Sequence, residues 1–471
     1  MKRMVVLLLW LAVAAGSGQL VAGQQLTPYQ QLARDILAQL VELRSTAALP
    51  ANTRAAATAM AERLIDAGFA EADVRVVSPD PKLGSLVARY RGRGPDGGAP
   101  RRRPILLMAH LDVVDALRSD WSFDPFTFRQ LDGFFYGRGT DDNKAGAAIL
   151  VANFIRFRQE GFIPNRDLII ALTGDEETSS ASIRYLVNDR RDLVDAAFAL
   201  NSDAGGGNLK DGKPHLFGVQ AAEKVYLTFR LEVRNPGGHS SRPRPDNAIY
   251  TLTMGLARLS EFEFPLDLNE VTRTYFERSA EFESGQRAAD MGAVAAQPPN
   301  PEAAARLSRS SPFYNALLHT TCVATRLDAG HADNALPQTA RATVNCRILP
   351  GQSPDEVEKT LDQVLGDAEI AVTRVNQPTP SPPSPLVPQV MGPIERIVEQ
   401  MWPGVPVIPS MSTGATDGLY VRNAGIPVYG VSAIFSDPDD VRAHGRDERV
   451  GVKEFFDAYE FWYRMLKALA S

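Results

Sequence analysis

Apolar residues follow three rhythms along this chain, and each rhythm predicts a different kind of element. Over residues 27–46, Tyr29, Leu32, Ile36, Leu37, Leu40 and Val41 recur at helical spacing. A second amphipathic helix is expected up to Asp66, with Thr53 as its cap and Gly68 ending it. Continuous apolar runs then replace the stripes. Residues 104–110, 168–174 and 196–200 are such runs, leading into His110, Asp175-Glu176-Glu177 and Asp203. Runs of this kind suit buried parallel strands that deliver polar side chains at their carboxyl ends. Between the first two, residues 144–161 read as a mostly buried helix carrying Ile149, Leu150, Val151, Phe154, Ile155 and Phe157. The alternation predicts an α/β sheet with its active groups along one edge.

From Val225 the period becomes two. Val225, Leu227, Phe229, Leu231 and Val233 alternate with Tyr226, Thr228, Arg230, Glu232 and Arg234, as in a strand buried on one face. The turn 235–238, a helix from about 246 to 260 and strands near 320–327 and 339–348 follow. Ser353-Pro-Asp-Glu356 is a capping-box sequence opening a helix to about Leu365, and a strand over 369–375 ends the set. That βαββαβ order is ferredoxin-like. Residues 261–316 match neither rhythm and read as an insertion inside this unit. The proline-rich stretch 378–388 marks a return linker, after which 394–402, 405–408 and 427–431 restore α/β character before the loop that holds His444. The predicted organisation is therefore a discontinuous larger domain, 24–221 and 379–471, split around a smaller one, 222–378.

Composition changes this picture at the first residues. Lys2 and Arg3, an apolar run over 5–15 and small residues at 21–23 read as a signal peptide spanning 1–23. The run is too short for a stable membrane span and no cysteine follows it to carry a lipid, so an exported chain, periplasmic or extracellular, is expected. The remainder of the 471 residues, 44% hydrophobic and 23% charged overall, has ordinary globular composition. With a formal charge of -6 and no dominant basic block, nucleic acid is not expected as a partner, and Arg101-Arg102-Arg103 reads as solvated. Two cysteines exclude a cysteine-based zinc site. Cys322 and Cys346 lie symmetrically about residue 334, in the middle of a predicted hairpin; a disulfide and a pair of buried thiols both remain open.

The stretch Gly137 to Gly146 holds adjacent carboxylates, Asp141 and Asp142, whose repulsion has to be offset by partners or a cation. Further donors stand at the other strand ends: His110, Glu177, Asp203 and His444. Two zinc ions with three protein ligands each need six bonds, and five side chains supply six only when one carboxylate, Asp142 or Asp141, bridges. Alone, each residue has an ordinary reading as a core histidine, a helix cap or a solvated turn. Recurrence at successive strand ends makes the signal.

The motifs His110-Leu-Asp112, Gly137-Arg-Gly-Thr-Asp-Asp-Asn-Lys144, Asp175-Glu-Glu177, Pro236-Gly-Gly-His-Ser240, Asn334-Ala-Leu-Pro337, Asn345-Cys-Arg347 and Thr413-Gly-Ala-Thr-Asp417 occur in that order. In this the chain resembles the di-zinc exopeptidase family of glutamate carboxypeptidase, aminoacylase and succinyl-diaminopimelate desuccinylase. The resemblance implies a mixed-sheet zinc-exopeptidase (phosphorylase/hydrolase-like) catalytic domain with an inserted ferredoxin-like lid or dimerisation domain. It implies one zinc on His110 and Asp203, another on Glu177 and His444, and Asp142 as the bridge, because the bridging aspartate sits two residues before the lysine matching Lys144. Asp141 is then a neighbour whose charge the ions and Lys144 would offset. Cobalt could replace zinc. Asp112 would orient His110, Glu176 would be the general base serving a metal-bridging hydroxide, and His239 would stabilise the oxyanion, often across a dimer. Arg347, Asn334 and Gly414 match positions that hold a substrate carboxylate. The chain departs from the usual pattern at Arg442-Ala-His-Gly445 and at Ala145. The implied activity is cleavage of a peptide amide next to a free carboxylate, as a carboxypeptidase or dipeptidase. An N-acyl-amino-acid hydrolase, an aminopeptidase and a non-catalytic peptide-binding protein are the alternatives, and a homodimer through the smaller domain is expected.

Overall fold

The structure, a computed structural model, describes residues 25–49 and 51–471. The expected signal peptide lies outside the described residues. Ile105–His110 and Leu168–Thr173 are buried at every position, so each must have apolar neighbours on both faces, and both take central places in a ten-stranded mixed sheet. Its order is Val74–Val77, Ser85–Tyr90, Leu168–Thr173, Ile105–His110, Phe198–Asn201, Val428–Gly430, Lys213–Glu223, Gly206–Lys210 and Phe435–Ser436, with Val407–Ser412 parallel to Lys213–Glu223. The four strands ending at Thr173, His110, Asn201 and Gly430 run parallel, which puts their carboxyl ends on one edge.

The helix Lys144–Gln159 is apolar almost all round and accordingly buried, packed against Pro28–Glu42 and Val452–Ala470. Thr27 and Gln30 form a reciprocal capping box at the start of Pro28–Glu42. Thr53, expected as a cap, instead lies inside Ala51–Asp66, and its hydroxyl accepts the Gly84 N–H at 3.2 Å. The hairpin Gly206–Lys210 to Lys213–Glu223 is an addition to the predicted elements. Its turn residues Asp211 and Gly212 both have positive φ, the conformation that an Asp-Gly pair favours between strands.

The smaller sheet has the order Thr321–Ala329, Thr339–Ile348, Val225–Arg234, Ala371–Arg374, antiparallel throughout. Its inward residues, Val225 through Val233 in alternation, pack under the helices Ala248–Glu261 and Pro354–Leu365. This is the ferredoxin-like arrangement. Ser353 caps the second helix by accepting the Glu356 N–H. Cys322 and Cys346 are register partners on neighbouring strands and are joined as a disulfide.

Residues 261–316 fold differently from the expected insertion within the smaller unit. They form the helices Glu270–Ala280, Gly285–Ala295, Pro301–Ser310 and the start of Pro312–Leu318. Val271, Phe276, Met291, Val294, Leu307 and Leu317 bury in the core of the larger unit, where the first of these helices lies against Val407–Ser412. Each such large side chain contributes roughly 1.5–3 kcal/mol by leaving water. The stretch 222–378 is therefore divided by its packing: the sheet and two helices make a separate core, and the helices between them join the larger one.

Candidate metal centre

His110 is the last residue of its strand, buried at 1% exposure, and its position follows from the sheet register opposite Thr173. Its Nδ1 lies 3.0 Å from the main-chain carbonyl of Asp112. A carbonyl can only accept, so Nδ1 carries a proton, and Nε2 is the ring nitrogen that faces the cleft and would be free to bind a cation there. The Asp112 carboxylate stands 3.5 Å from Nδ1 and accepts the N–H groups of Glu176 and Glu177 at 3.1 and 3.0 Å. One residue thereby orients the imidazole and the acidic turn together.

Asp142 Oδ1 lies 2.9 Å from His110 Nε2, and its Oδ2 lies 3.1 Å from His444 Nε2. Asp203 Oδ1 is 3.3 Å from His110 Nε2, and Glu177 Oε1 is 2.8 Å from His444 Nε2. Two donor sets thus converge, and they share the two oxygens of one carboxylate. Single ligand atoms of His110, Asp142 and Glu177 all lie within 4.8 Å of one another, as do those of His110, Glu176 and Asp203. Asp141 makes no comparable contact with either imidazole: its N–H goes to Glu448.

The electrostatics match a cluster built for cations. Burial opposes ionisation of Asp142, yet hydrogen bonds from His110 and His444 hold it well below the carboxylate range. Burial pushes Asp203 up to about 7 against the pull of His110. Burial and the charge of Asp203 push Glu176 up to about 10. Asp141 rises to about 7 through burial and the charges of Glu448, Asp142 and Asp203. Hydrogen bonds to Asp142 and Glu177 raise His444 to about 10. His110 is raised well above its ordinary value because the charge of Asp203 and three carboxylate hydrogen bonds outweigh its burial. Carboxylates crowded this closely, with two imidazoles between them, form an oxygen and nitrogen donor set that suits two divalent ions.

The loop carrying Asp142 is held from behind. Glu448 is fully buried and its Oε1 accepts the N–H groups of Gly139, Asp141 and Asp142 at 3.0, 2.9 and 3.1 Å. Its Oε2 receives Arg138 Nη1 at 2.6 Å. Gly139 has φ +87°, and a Cβ there would meet Val113 and Lys144 within 3 Å. Lys144 takes no part in offsetting Asp141: its buried Nζ donates to the carbonyls of Leu40 and Leu43 at 2.7 and 2.9 Å, closing the end of a helix. Asp175, adjacent to the two glutamates, caps Ala181–Asn188 through the N–H groups of Ala181 and Ser182. Glu448 and Arg138 are absent from the sequence-derived site. They stand four residues after His444 and four before Asp142.

A cavity of about 520 Å³ opens beside this cluster, lined among others by Glu176, Glu177, Lys224, Tyr226, Arg347 and Gly414. Arg347 and Gly414 therefore reach the same space as the acidic pair. The Arg347 guanidinium lies 4.6 Å from the centre of the Tyr226 ring, and burial lowers its pKa. Among the described residues no carboxylate pairs with it. Lys224, which sequence reading missed, is buried at 2% exposure and donates to the His319 carbonyl at 2.7 Å. His239 and Asn334 are not brought to the cluster. They meet in an exposed turn of the smaller unit, where the Ser240 N–H donates to the Asn334 carbonyl and His239 Nδ1 lies 2.7 Å from Ser241 Oγ.

The pairs at the parallel strand ends and the separate lid fold are those of a metallohydrolase. The family model for peptidase family M20/M25/M40 matches residues 106–468, and the chain belongs to that family, as a zinc-dependent, carboxypeptidase-like hydrolase. It is 29% identical over 384 residues to the human N-fatty-acyl-amino acid synthase/hydrolase PM20D1, covering 79% of this chain and 75% of the relative. It is 27% identical over 437 residues to carboxypeptidase S of Saccharomyces cerevisiae, covering 82% and 74%. The solved M20 family metallo-carboxypeptidase of Sulfolobus solfataricus superposes with a TM-score of 0.66 at 18% identity over 93% of this chain and 99% of that one, a likeness of fold.

Proposed function

We propose that this protein hydrolyses an amide bond adjacent to a free carboxylate, acting as a carboxypeptidase or dipeptidase. The observation that carries the reading is the cavity shared by the acidic pair Glu176 and Glu177 and the unpaired Arg347 cation. A guanidinium with no carboxylate partner offers its fork to an anionic substrate group. His110 and Asp203 would hold one ion, His444 and Glu177 the other, with Asp142 shared; zinc or another divalent ion there would supply Lewis acidity to the scissile carbonyl and acidify water. Glu176, next in sequence to Glu177 and lining the same cavity, takes the proton from the attacking water and returns it to the leaving nitrogen. Gly414, with no side chain, leaves room for the carboxylate beside Arg347.

A second reading, an N-acyl-amino-acid hydrolase, is favoured by the apolar part of the same wall, Val225, Tyr226, Leu419 and Tyr420, and by the likeness to PM20D1. Both readings require the free carboxylate. Support for a homodimer comes from the smaller unit: Thr321–Ala329 is an edge strand exposing Val323 and Leu327, beside a helix exposing Tyr250 and Met254. His239 and Asn334 would then serve the partner's centre. Export rests on the sequence of residues 1–23. The decisive assay compares dipeptides, N-acyl amino acids and their carboxamides with and without a chelator. Amidation of the carboxylate is expected to lower kcat/KM roughly 100-fold or more, as for loss of one partner of a buried charge pair; equal cleavage of the carboxamide sinks the proposal, and cleavage abolished by blocking the amine points to an aminopeptidase.

A further inference from the structure

The residues of the two donor sets are anchored in different ways. His110 closes a central strand and is fixed by its Nδ1 bond, and Asp203 follows another strand, with its N–H donated to Asn201 Oδ1 at 3.2 Å. Neither makes a hydrogen bond or ion pair with Arg138 or Glu448. His444 instead sits in a turn, half-exposed, at φ +61°, a left-handed conformation that is costly for a side chain with a Cβ and persists only when its surroundings hold it. Beside the turn's own bond from the Gly445 N–H to the Arg442 carbonyl, Arg138 holds it from the buried side. Its Nη2 donates to the carbonyls of His444 and Gly445 at 3.3 and 3.0 Å while its Nη1 binds Glu448, and its guanidinium lies 5.1 Å from the centre of the Trp121 ring. The same Glu448 gathers three N–H groups of the Asp142 loop. One buried ion pair therefore sets the distance between His444 and Asp142.

Resting on the two-ion reading above, we propose that Arg138 is a positioning residue that controls the affinity of the ion position formed by His444 and Glu177 and leaves the position at His110 and Asp203 largely independent, whereas Glu448, which holds the loop of the shared Asp142, acts on both. Arg138 is suited to this because a planar fork reaches a carboxylate and two carbonyls at once. A lysine retains the charge for Glu448 but cannot span all three groups.

The test is calorimetric titration of Zn²⁺ into the full-length chain stripped with chelator, for wild type, Arg138→Lys and Glu448→Gln, after thermal melts establish that each is folded. Wild type takes up two ions. Arg138→Lys is expected to keep one ion at wild-type affinity and to bind the other about 10- to 100-fold more weakly, the usual effect of removing a group that orients a ligand, and Glu448→Gln is expected to weaken both. For Arg138→Lys, two ions at unchanged affinity, or equal weakening of both, overturns the proposal. Should Glu448→Gln fail to fold, Arg138→Lys decides alone, since it preserves the buried charge pair. A wild type that binds fewer than two ions defeats the two-ion reading itself, and the proposal with it.

Discussion

The metal centre and the turn holding His239 and Asn334 belong to one hydrolase yet are built in opposite ways. At the centre, the histidines and acids expected from the strand ends converge within hydrogen-bond distance, and buried groups fix the loops that carry them. In the turn of the smaller unit, the His239 ring lies against Ser241, two residues on, and stands exposed. The centre is assembled by folding of a single chain. Whatever the lid turn contributes has to arrive by a second event, closure or pairing with another copy.

The strongest way to break this contrast is at the centre itself. Glu176→Gln is expected to keep two ions per chain and to lower kcat about 10²- to 10⁴-fold, measured by turnover together with metal analysis. Retained turnover removes Glu176 from proton transfer, and lost ions make it a ligand instead. A smaller effect is expected from His239→Ala. Here kcat falls about 10²- to 10³-fold with ion content unchanged, as for loss of an oxyanion donor. Co-expressing the His239→Ala and Glu176→Gln chains sharpens the comparison: activity well above either variant alone means that the turn of one chain serves the other's centre, and no recovery means closure within one chain.

The smallest effect concerns stability at the junction of the two units. Burial, with help from the Arg347 charge, lowers Lys224 from 10.5 to about 7. Between these values the unfolded chain binds more protons than the folded one, so stability rises with pH from about 7 to 10.5 and is level outside that window. The slope is bounded by about 1.4 kcal/mol per pH unit. Lys224→Met is expected to flatten it in urea unfolding followed across this range; an unaltered slope places the lysine charge elsewhere in the balance.

The legible part of this molecule is the part governed by period and by strand ends. Apolar runs placed His110, Glu177 and Asp203 on one edge, and alternation from Val225 to Val233 gave the smaller sheet. Glu448 and Arg138 escaped because their importance lies in three main-chain N–H groups and two carbonyls, which leave no pattern in side-chain types. Lys144 was misread for a related reason. An acidic neighbour in sequence suggested a charge partner, whereas a sixteen-residue buried helix begins at that lysine and turns its Nζ toward Leu40 and Leu43. The helices from Glu270 to Leu318 bury residues such as Val271, Phe276 and Leu317, but their sequence holds no sign of which of two cores these face.

Those helices also change the mechanics of the lid. A domain inserted between two strands hangs on two strands of chain, a hinge with one free axis. Here the chain passes between the two cores near residues 224, 265, 320 and 380 and touches the larger one again at Leu349, and the disulfide at Cys322 fastens the third passage to the neighbouring strand. These passages are tied side by side: Lys224 donates to the His319 carbonyl, His319 Nδ1 lies 2.7 Å from the Phe264 carbonyl, and the Ser384 N–H donates to the Ala221 carbonyl, so the junction is a bundle of chain in place of a two-stranded hinge.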